Sequence, residues 1–473
     1  MVDAAKQEWA QIARNIENEQ EIESLLEAGR KRLSARDEIS AILKKAEEAK
    51  GLSLEEAATL IAVEDEDLRK ATWASAGKVK NAIYGNRVVM FAPLYVANHC
   101  VNNCRYCGYS LKNKEMMRKK LTMDEIKEET RALINMGHKR VALESGEDPV
   151  NIPLSYILDA IAAIYSVEER GLSLRRINVN IAATDVAGYK ALHEAEIGTY
   201  ILFQESYRRK TYESMHVSGP KSNFNYHTSA HHRAMMGGIE DVGFGVLYGL
   251  DDWRYETIAM LRHAHILEKD QGVGPHTLSV PRVKKAIGVD NEMFPYALTD
   301  EEFLQVVAVL RLALPYAGII LSTRESVELR NRALALGVSQ MSAASCTGVG
   351  GYSVYKEDKE KTAQFSITDE RSLAEVVRSL AKGGYMPSFC TACYRCGRTG
   401  DRFMELAKSG LIQLVCQPNA LVTLKEFSLD FCPETNDPAY YEQELKKIAN
   451  EKVRADTKDK LDRLEKGERD LYL

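Results

Sequence analysis

The chain has 473 residues, enough to bury a large core in one domain with appendages or in two to three smaller domains. It carries 63 basic and 68 acidic residues, a formal net charge of -5, which gives no electrostatic argument for nucleic acid or an anionic membrane as a partner. The first residues are already charged and no apolar run reaches membrane-spanning length, so the sequence predicts a cytoplasmic protein that acts on small molecules.

The chain divides into three predicted parts. Residues 1–85 form a helical segment, because apolar residues recur at helical spacing among charged ones. Residues 86–355 alternate short β-rich runs with helical patterns, which predicts an α/β domain with a parallel sheet. Residues 356–473 carry further cysteines and a charged helical tail.

The central part contains eight β-rich runs, at residues 88–96, 141–145, 177–182, 200–205, 242–248, 277–281, 318–323 and 340–344. Eight βα units in about 260 residues match the size of a closed (β/α)8 TIM barrel. An open, doubly wound sheet is the alternative fold, although no glycine-rich dinucleotide fingerprint follows the first strand. We therefore expect a barrel whose chemistry lies at the C-terminal ends of its strands.

Three cysteines, Cys100, Cys104 and Cys107, follow the first predicted strand on one loop. Soft thiolates packed this closely suit an iron-sulfur cluster, and three of them leave one iron open for a substrate or cofactor. A zinc knuckle or a redox disulfide is the alternative. Zinc sites usually take four ligands, and His99 is the only fourth ligand nearby.

The cysteine spacing, with Tyr106 directly before the third cysteine, resembles the cluster loop of radical S-adenosylmethionine (SAM) enzymes. The resemblance implies a 4Fe-4S cluster whose open iron chelates SAM, and an electron from that cluster that cleaves SAM to a 5′-deoxyadenosyl radical. It also implies that the turn Ser145-Gly146-Glu147, after the second strand, binds the methionine amino group. An ordinary loop turn of the same composition is the alternative.

Two further residues are candidate SAM contacts. Glu205, at the end of the fourth predicted strand, could accept hydrogen bonds from the ribose hydroxyls, or it could be a solvated surface carboxylate. Gly245 lies in a fifth strand that resembles the adenine-contacting strand of the same superfamily. Ordinary barrel packing would explain Gly245 equally well.

A radical formed inside a barrel needs a substrate held with one hydrogen facing it. Arg324 ends the seventh predicted strand and is placed to bind a carboxylate bidentately, which predicts an amino-acid substrate. Tyr95 and Ser342 could complete this pocket. A structural ion pair between Arg324 and Glu325 is the alternative.

A second set of cysteines lies beyond the barrel, with Cys390, Cys393 and Cys396 close together and Cys416 after a helical stretch. Such spacing is typical of a metal site. Four thiolates could close a structural zinc site, and three could hold an iron-sulfur cluster. The residue types alone leave both metals open.

The barrel, including Met-Ser-Ala-Ala-Ser after the eighth strand, resembles the tyrosine lyases of the radical SAM superfamily. The Cys-x2-Cys-x22-Cys spacing of Cys390, Cys393 and Cys416 resembles the branch that matures FeFe-hydrogenase, with Cys396 outside that spacing. This resemblance implies cleavage of L-tyrosine at the Cα-Cβ bond to p-cresol and dehydroglycine, and conversion of dehydroglycine to CO and cyanide.

The same resemblance implies a second, auxiliary iron-sulfur cluster that carries an extra iron bridged by a free cysteine. We assign the protein ligand of that iron to His265 by resemblance, since neutral imidazole is a normal iron ligand. The implied partners are a low-potential electron donor such as ferredoxin or flavodoxin and other hydrogenase maturation proteins. Two alternative functions are a tyrosine lyase that supplies dehydroglycine for thiamine thiazole synthesis and a non-catalytic iron-sulfur scaffold.

Overall fold

The computed structural model describes residues 2–290 and 293–473. Across these residues the strands are β1 Arg87–Ala97, β2 Arg140–Ser145, β3 Arg176–Asn180, β4 Tyr200–Glu205, β5 Val242–Val246, β6 Thr277–Ser279, β7 Gly318–Leu321, β8 Gln340–Ser342 and β9 Met386–Ser388. The helices before and within the barrel are α1 Val2–Glu17, α2 Glu19–Arg32, α3 Arg36–Ala46, α4 Leu54–Ile61, α5 Glu66–Tyr84, α6 Met123–Met136, α7 Leu154–Tyr165, α8 Val186–Glu194, α9 Arg209–Met215, α10 Phe224–Thr228, α11 Ala230–Met236, α12 Trp253–Gln271, α13 Asp300–Ala313 and α14 Val327–Leu336. The helices beyond it are α15 Leu373–Lys382, α16 Ala392–Arg395, α17 Gly400–Lys408, α18 Ile412–Phe431, α19 Pro438–Lys447 and α20 Glu451–Glu465.

Strands β1 to β8 form a closed barrel in which all pairings are parallel. Each strand pairs with the next along the chain, and β1 closes the ring by pairing with both β2 and β8. The predicted (β/α)8 barrel is therefore confirmed. Parallel strands need helical crossovers, and two of these helices begin with a capping box, formed by Thr122 and Glu125 at α6 and by Thr299 and Glu302 at α13.

The ninth strand was not predicted from the sequence. Strand β9 pairs in parallel with the first residues of β1, at Arg87 with Met386 and Val89 with Ser388. Proline is tolerated within β9 at Pro387 because an edge strand can spare one backbone donor. This pairing attaches the C-terminal segment to the end of the barrel where strands begin.

Helices α1 to α5 precede the barrel and cover part of its outer layer. Helix α5 packs against α13 and α14, and α1, α2 and α4 pack against α12. The strands they enclose are buried and mostly apolar. No helix within the described residues is long and apolar enough to cross a membrane.

Candidate active site and second cysteine cavity

The first cavity opens at the C-terminal ends of the barrel strands and has a volume of about 220 Å³. We refer to it as the upper cavity. Its lining includes Cys100, Cys104 and Cys107 from the loop after β1, together with Glu144 and Arg324 from the ends of β2 and β7. The three thiols and the candidate carboxylate-binding residue therefore share one space, on the face where (β/α)8 barrels perform chemistry.

The turn Ser145-Gly146-Glu147 lines this cavity and supports the cysteine loop from below. The backbone N–H of Val101 donates to the Glu147 carbonyl at 2.8 Å, and Asn102 donates to the Glu147 carboxylate at 2.5 Å. A Cβ at Gly146 would lie 2.2 Å from the His99 carbonyl oxygen, so only glycine permits this approach. The local sequence thus fixes the candidate SAM turn against the candidate cluster loop.

A residue from beyond the barrel also contacts the cysteines. The Gln364 amide nitrogen lies 3.7 Å from the Cys107 sulfur, and its oxygen accepts a hydrogen bond from the buried Tyr95 hydroxyl at 2.9 Å. Burial raises the pKa of Cys107 to about 11 and also raises the pKa of Cys104. Such thiols are neutral when free, and metal coordination is what would stabilise them as thiolates. Three soft donors around one cavity fit an iron-sulfur cluster with an open iron.

Arg324 is directed into the upper cavity. Its guanidinium lies 3.4 Å from the centre of the Phe365 ring, and Nη1 donates to the Arg282 carbonyl at 3.3 Å. Glu325 pairs with Arg282, which removes the reason for a structural Arg324–Glu325 pair. Ser342 also lines the cavity, and its hydroxyl oxygen accepts a hydrogen bond from the backbone N–H of Thr323, after β7, at 3.2 Å. Several guanidinium donors of Arg324 therefore remain for a ligand.

Glu144 is a second ionisable group in this space. Its carboxyl faces Asn180 and the charge of Arg324, both of which favour ionisation, yet removal from bulk water dominates and raises its pKa to about 8. The substrate-free site therefore holds a neutral carboxyl at neutral pH. An ammonium group placed beside Glu144 would favour the ionised form.

The two remaining SAM candidates have different positions. Glu205 lines the upper cavity, has a φ of 68°, and pairs with Lys221 at 2.8 Å. Gly245 does not line the cavity, and a Cβ there would lie 2.3 Å from the Phe203 ring. The prediction for Gly245 is corrected: Phe203 from β4 covers it, and Leu247 from the following residues reaches the cavity instead.

A second cavity, the lower cavity, lies where the barrel strands begin and has a volume of about 70 Å³. Cys390, Cys393 and Cys416 line it, whereas Cys396 is exposed and lies outside it. The thiol of Cys393 donates toward Cys416, and this hydrogen bond, against the opposing effect of burial, lowers the pKa of Cys416. The structure thus brings together the three cysteines of the Cys-x2-Cys-x22-Cys spacing at the opposite end of the barrel.

The histidine of the lower cavity is His276, not His265. His265 lies on α12, outside the barrel, where the charges of Glu268 and Glu55 act on its ring. His276 directly precedes β6, lines the lower cavity with the cysteines, and has its Nδ1 3.4 Å from Asp241. The assignment to His265 is therefore wrong in geometry, because a ring on the outer helix layer cannot reach the barrel interior.

Among the residues that the structure describes, no group of three or more His, Cys, Asp or Glu side chains is drawn together tightly enough to hold a single metal ion. Both thiol sets instead face a cavity. The sequence analysis missed six lining residues, because their positions depend on strand register or on distant segments. They are Gln364 and Phe365 in the upper cavity, and Arg87, Arg140, Arg176 and His276 in the lower cavity.

Two family models match the chain. Residues 94–264 match the model of the radical SAM superfamily, and residues 279–386 match the biotin and thiamin synthesis associated domain. Among curated relatives, the 2-iminoacetate synthase of Escherichia coli strain K12 is 30% identical over 64% of this chain and 78% of its own length.

Two solved structures are similar over nearly the whole chain. A crystal structure of HydG, described as a maturase of the FeFe-hydrogenase, has a TM-score of 0.93 and 52% identity, covering 97% of this chain and 100% of that one. The HydG maturase from Carboxydothermus hydrogenoformans has a TM-score of 0.80 and 40% identity, covering 95% and 99%. The likeness includes the C-terminal segment beyond the barrel.

The raised pKa of Glu144 predicts a pH-dependent stability. The folded-state value of about 8 exceeds the ordinary 4.5, so the protonated carboxyl stabilises the fold fully below about pH 4.5, and this contribution is lost as pH rises through about 8. Between pH 5 and pH 8.5 the melting temperature of the Glu144→Gln variant should therefore fall less than that of the wild type, because the variant lacks the carboxyl that ionises. Calorimetry of the metal-loaded protein would measure a difference of a few degrees. If the melting temperatures of the two proteins fell by the same amount across this pH range, the raised pKa of Glu144 would be contradicted.

Proposed function

Because the chain belongs to the HydG maturases of the radical SAM superfamily, we propose that it cleaves L-tyrosine at the Cα-Cβ bond and converts one fragment to CO and cyanide. The chain is a radical SAM lyase. The proposed fragments are p-cresol and dehydroglycine, and the diatomic products would be assembled on iron for the active site of an FeFe-hydrogenase. The observation that carries this proposal is that one barrel has three thiols at each of its two ends.

The upper cavity is the proposed site of radical formation. Cys100, Cys104 and Cys107 would hold a 4Fe-4S cluster, and Ser145-Gly146-Glu147 and Glu205 would hold SAM beside it. When bound, cluster and SAM together supply a 5′-deoxyadenosyl radical. The chain's part is to position the substrate and to exclude water from the reacting atoms, since both cysteine loop and turn lie inside the barrel mouth.

Arg324 is the proposed anchor for the tyrosine carboxylate. Its guanidinium carbon lies 3.4 Å from the centre of the Phe365 ring, and only one of its donors is used by the Arg282 carbonyl, so the other donors can bind a carboxylate bidentately. Ser342 lies on β8, the neighbour of β7, and Tyr95 lies on β1, the next strand round the barrel; both side chains line the same cavity as Arg324. These contacts favour a bound amino acid whose amino group faces Glu144 and the radical.

The two cavities approach each other along strand β1. Alternate residues of β1 face the barrel interior, where Val89 lines the lower cavity and Phe91, Pro93 and Tyr95 line the upper cavity. Two residues along a strand span about 7 Å, so the two linings nearly meet inside the barrel. This arrangement supports transfer of dehydroglycine without release to solvent.

The lower cavity is the proposed site of the auxiliary cluster and its extra iron. Cys390, Cys393 and Cys416 would hold the cluster, and His276 together with a free cysteine would hold the extra iron, which would supply the site where CO and cyanide collect. Asp241 lies next to Nδ1 of His276, which leaves Nε2 for a metal, an arrangement common among metal-binding histidines. This donor set favours diatomic assembly over a lyase that releases dehydroglycine intact.

The proposed chemistry requires an electron donor and an acceptor for its product. A low-potential electron donor such as ferredoxin or flavodoxin would reduce the upper cluster, and hydrogenase maturation proteins would receive the iron product. We place this chemistry in the cytoplasm, where a reducing environment keeps nine cysteines as free thiols.

The two cysteine sites should fail in different ways. Cys104→Ala removes a ligand of the upper cluster and should abolish p-cresol, CO and cyanide together. Cys393→Ala should retain p-cresol but form neither CO nor cyanide, measured by chromatography and by trapping of the diatomic products. Cys396→Ala, an exposed thiol outside the lower cavity, is the matched control and should retain all three. Loss of p-cresol in Cys393→Ala equal to that in Cys104→Ala would contradict this division.

Arg324 should control tyrosine affinity. Arg324→Met removes a charge-assisted pair with the substrate carboxylate and should raise KM for tyrosine by at least about 10-fold. Arg324→Lys should recover part of this loss, because the charge returns without the planar fork. Steady-state p-cresol formation gives both values, and Arg378→Met, at a half-exposed arginine on α15, is the control. An unchanged KM in Arg324→Met would remove the carboxylate from this position.

His276 should hold one iron. His276→Ala in anaerobically loaded protein should bind about one iron less per chain than wild type and should still form p-cresol, whereas His265→Ala should match wild type. Metal analysis and Mössbauer spectroscopy measure the difference. Equal iron content in His276→Ala and wild type, or zinc in place of iron at the lower cysteines, would contradict the assembly role.

A further inference from the structure

Each of the first three barrel strands begins with an arginine. Arg87, Arg140 and Arg176 are the first residues of β1, β2 and β3, and these strands are neighbours in the sheet. Arg140 and Arg176 are also paired directly across the β2–β3 ladder. Arg87 lies further down, where β1 pairs with β9 rather than with β2, and all three side chains line the lower cavity.

These side chains are almost completely removed from solvent, with exposed fractions of 5% for Arg87, 8% for Arg140 and 2% for Arg176. Buried arginines are ordinarily paired with a carboxylate, because an unpaired buried charge is costly. Here Arg87 bonds to the sulfur of Cys416, and the acceptors of the other two arginines are neutral. Arg176 donates to the Asn178 amide at 2.7 Å and to the Thr199 hydroxyl at 2.6 Å, and Arg140 donates to the Cys390 carbonyl at 2.7 Å.

Several guanidinium nitrogens are buried and make no hydrogen bond within the described residues. They are Nε and Nη2 of Arg87 and Nη1 of Arg176. Tyr394 covers one face of Arg176, with the guanidinium carbon 2.9 Å from the ring centre, so the free nitrogen is available only at the edge of the group. Free edges of guanidinium groups are the surfaces that bind carboxylates in a fork geometry.

The charges around the lower cavity do not balance. Asp241 is a buried carboxylate near Arg176, and it is already engaged by the Tyr394 hydroxyl and the Gly400 backbone N–H. Burial and then the charge of Arg140 lower the pKa of Arg176 well below its usual value, as expected for neighbouring cations with too few counter-ions. A 4Fe-4S cluster with three thiolates adds one net negative charge in its oxidised form, and Asp241 adds another. One guanidinium charge still lacks a counter-ion.

We propose that Arg87, Arg140 and Arg176 form a carboxylate-binding cradle that holds a small amino or imino acid monoanion beside the cysteines of the lower cavity. The proposal rests on the proposed function, which supplies two sources of that carboxylate. One is the two-carbon fragment of tyrosine, and the other is the free amino acid that bridges the extra iron. Arg140 also fixes the cluster loop through Cys390, so the cradle and the metal site are built on the same residue.

A titration of the lower cluster with formate tests the cradle directly. The protein is the full chain, loaded with iron and sulfide under anaerobic conditions, in a Cys104→Ala background that leaves the lower cluster as the spectroscopic signal. Formate, without tyrosine or SAM, should perturb the electron paramagnetic resonance spectrum of the reduced cluster in a saturable way. Formamide, a neutral molecule of similar size, should not. Equal responses to formate and formamide would overturn the proposal.

Variants of the cradle make the test specific to its residues. Arg176→Met should raise the half-saturating formate concentration at least about 10-fold, and Arg176→Lys should lie between this variant and wild type. Arg87→Lys keeps the charge and loses the fork, so it provides an independent test if Arg176 variants fail to fold. Arg378→Met, on the exterior, should match wild type. A formate response that is unchanged in both Arg176→Met and Arg87→Lys would show that these guanidiniums serve the cluster alone.

Two further ligands distinguish the sources of the carboxylate. Glyoxylate represents the two-carbon fragment, and L-cysteine represents the bridging amino acid. A response to glyoxylate that weakens in Arg176→Met assigns the cradle to the fragment, whereas the same pattern for L-cysteine alone assigns it to the amino acid. No response to either ligand would overturn the cradle. Formation of p-cresol by the unmodified chain is measured separately, and its absence would overturn the proposed function instead.

Discussion

The arrangement of both cysteine sites depends on the pairing of strand β1. This strand pairs with β2 over its second half, with β8 on its other edge, and with β9 over its first residues. Its C-terminal end carries the loop of Cys100, and β9 leads directly to the loop of Cys390. Because one strand anchors both loops, the separation of the two thiol sets is fixed by backbone hydrogen bonds rather than by flexible linkers.

The direction of the strands then separates the chemistry of the two ends. In a closed parallel barrel all carboxyl ends meet on one face, which gathers Arg324, Glu144 and the first cysteines. The opposite face of such barrels ordinarily serves stability. Here three arginines at the starts of β1, β2 and β3 line that face, and the C-terminal segment that covers it supplies three more thiols. Arg87 and Arg176 keep buried donors there that make no hydrogen bond within the described residues, and these donors are the basis for the proposal that the lower face also binds a carboxylate.

The sequence predicted much of this architecture because its signals are local. Eight β-rich runs and two cysteine spacings can be recognised within short windows, and both correspond to features of the fold. The errors arose where position depends on packing. His265 and His276 are only 11 residues apart in sequence, but one belongs to an outer helix and the other directly precedes a strand. The strand that contains Gly245 resembles a ligand-contacting strand in sequence, yet the ring of Phe203 lies over this glycine.

Other features were invisible for a related reason. Gln364 lies 257 residues from Cys107, so no window could place them together. The arginines that begin β1, β2 and β3 are 53 and 36 residues apart, and they form a group only after strand register is known. Residues that act together across neighbouring strands can be recognised from sequence only when the strand boundaries and their pairing are already established.

The central claim is that carbon from tyrosine passes inside one chain from the upper to the lower cysteines. Infrared spectroscopy of the anaerobically loaded protein during turnover with 13C-labelled tyrosine tests this most directly. The account predicts iron-bound CO and cyanide bands that shift with the isotope and appear with p-cresol. Formation of p-cresol without any isotope-sensitive iron-bound band, with the two-carbon fragment released to solvent, would contradict it.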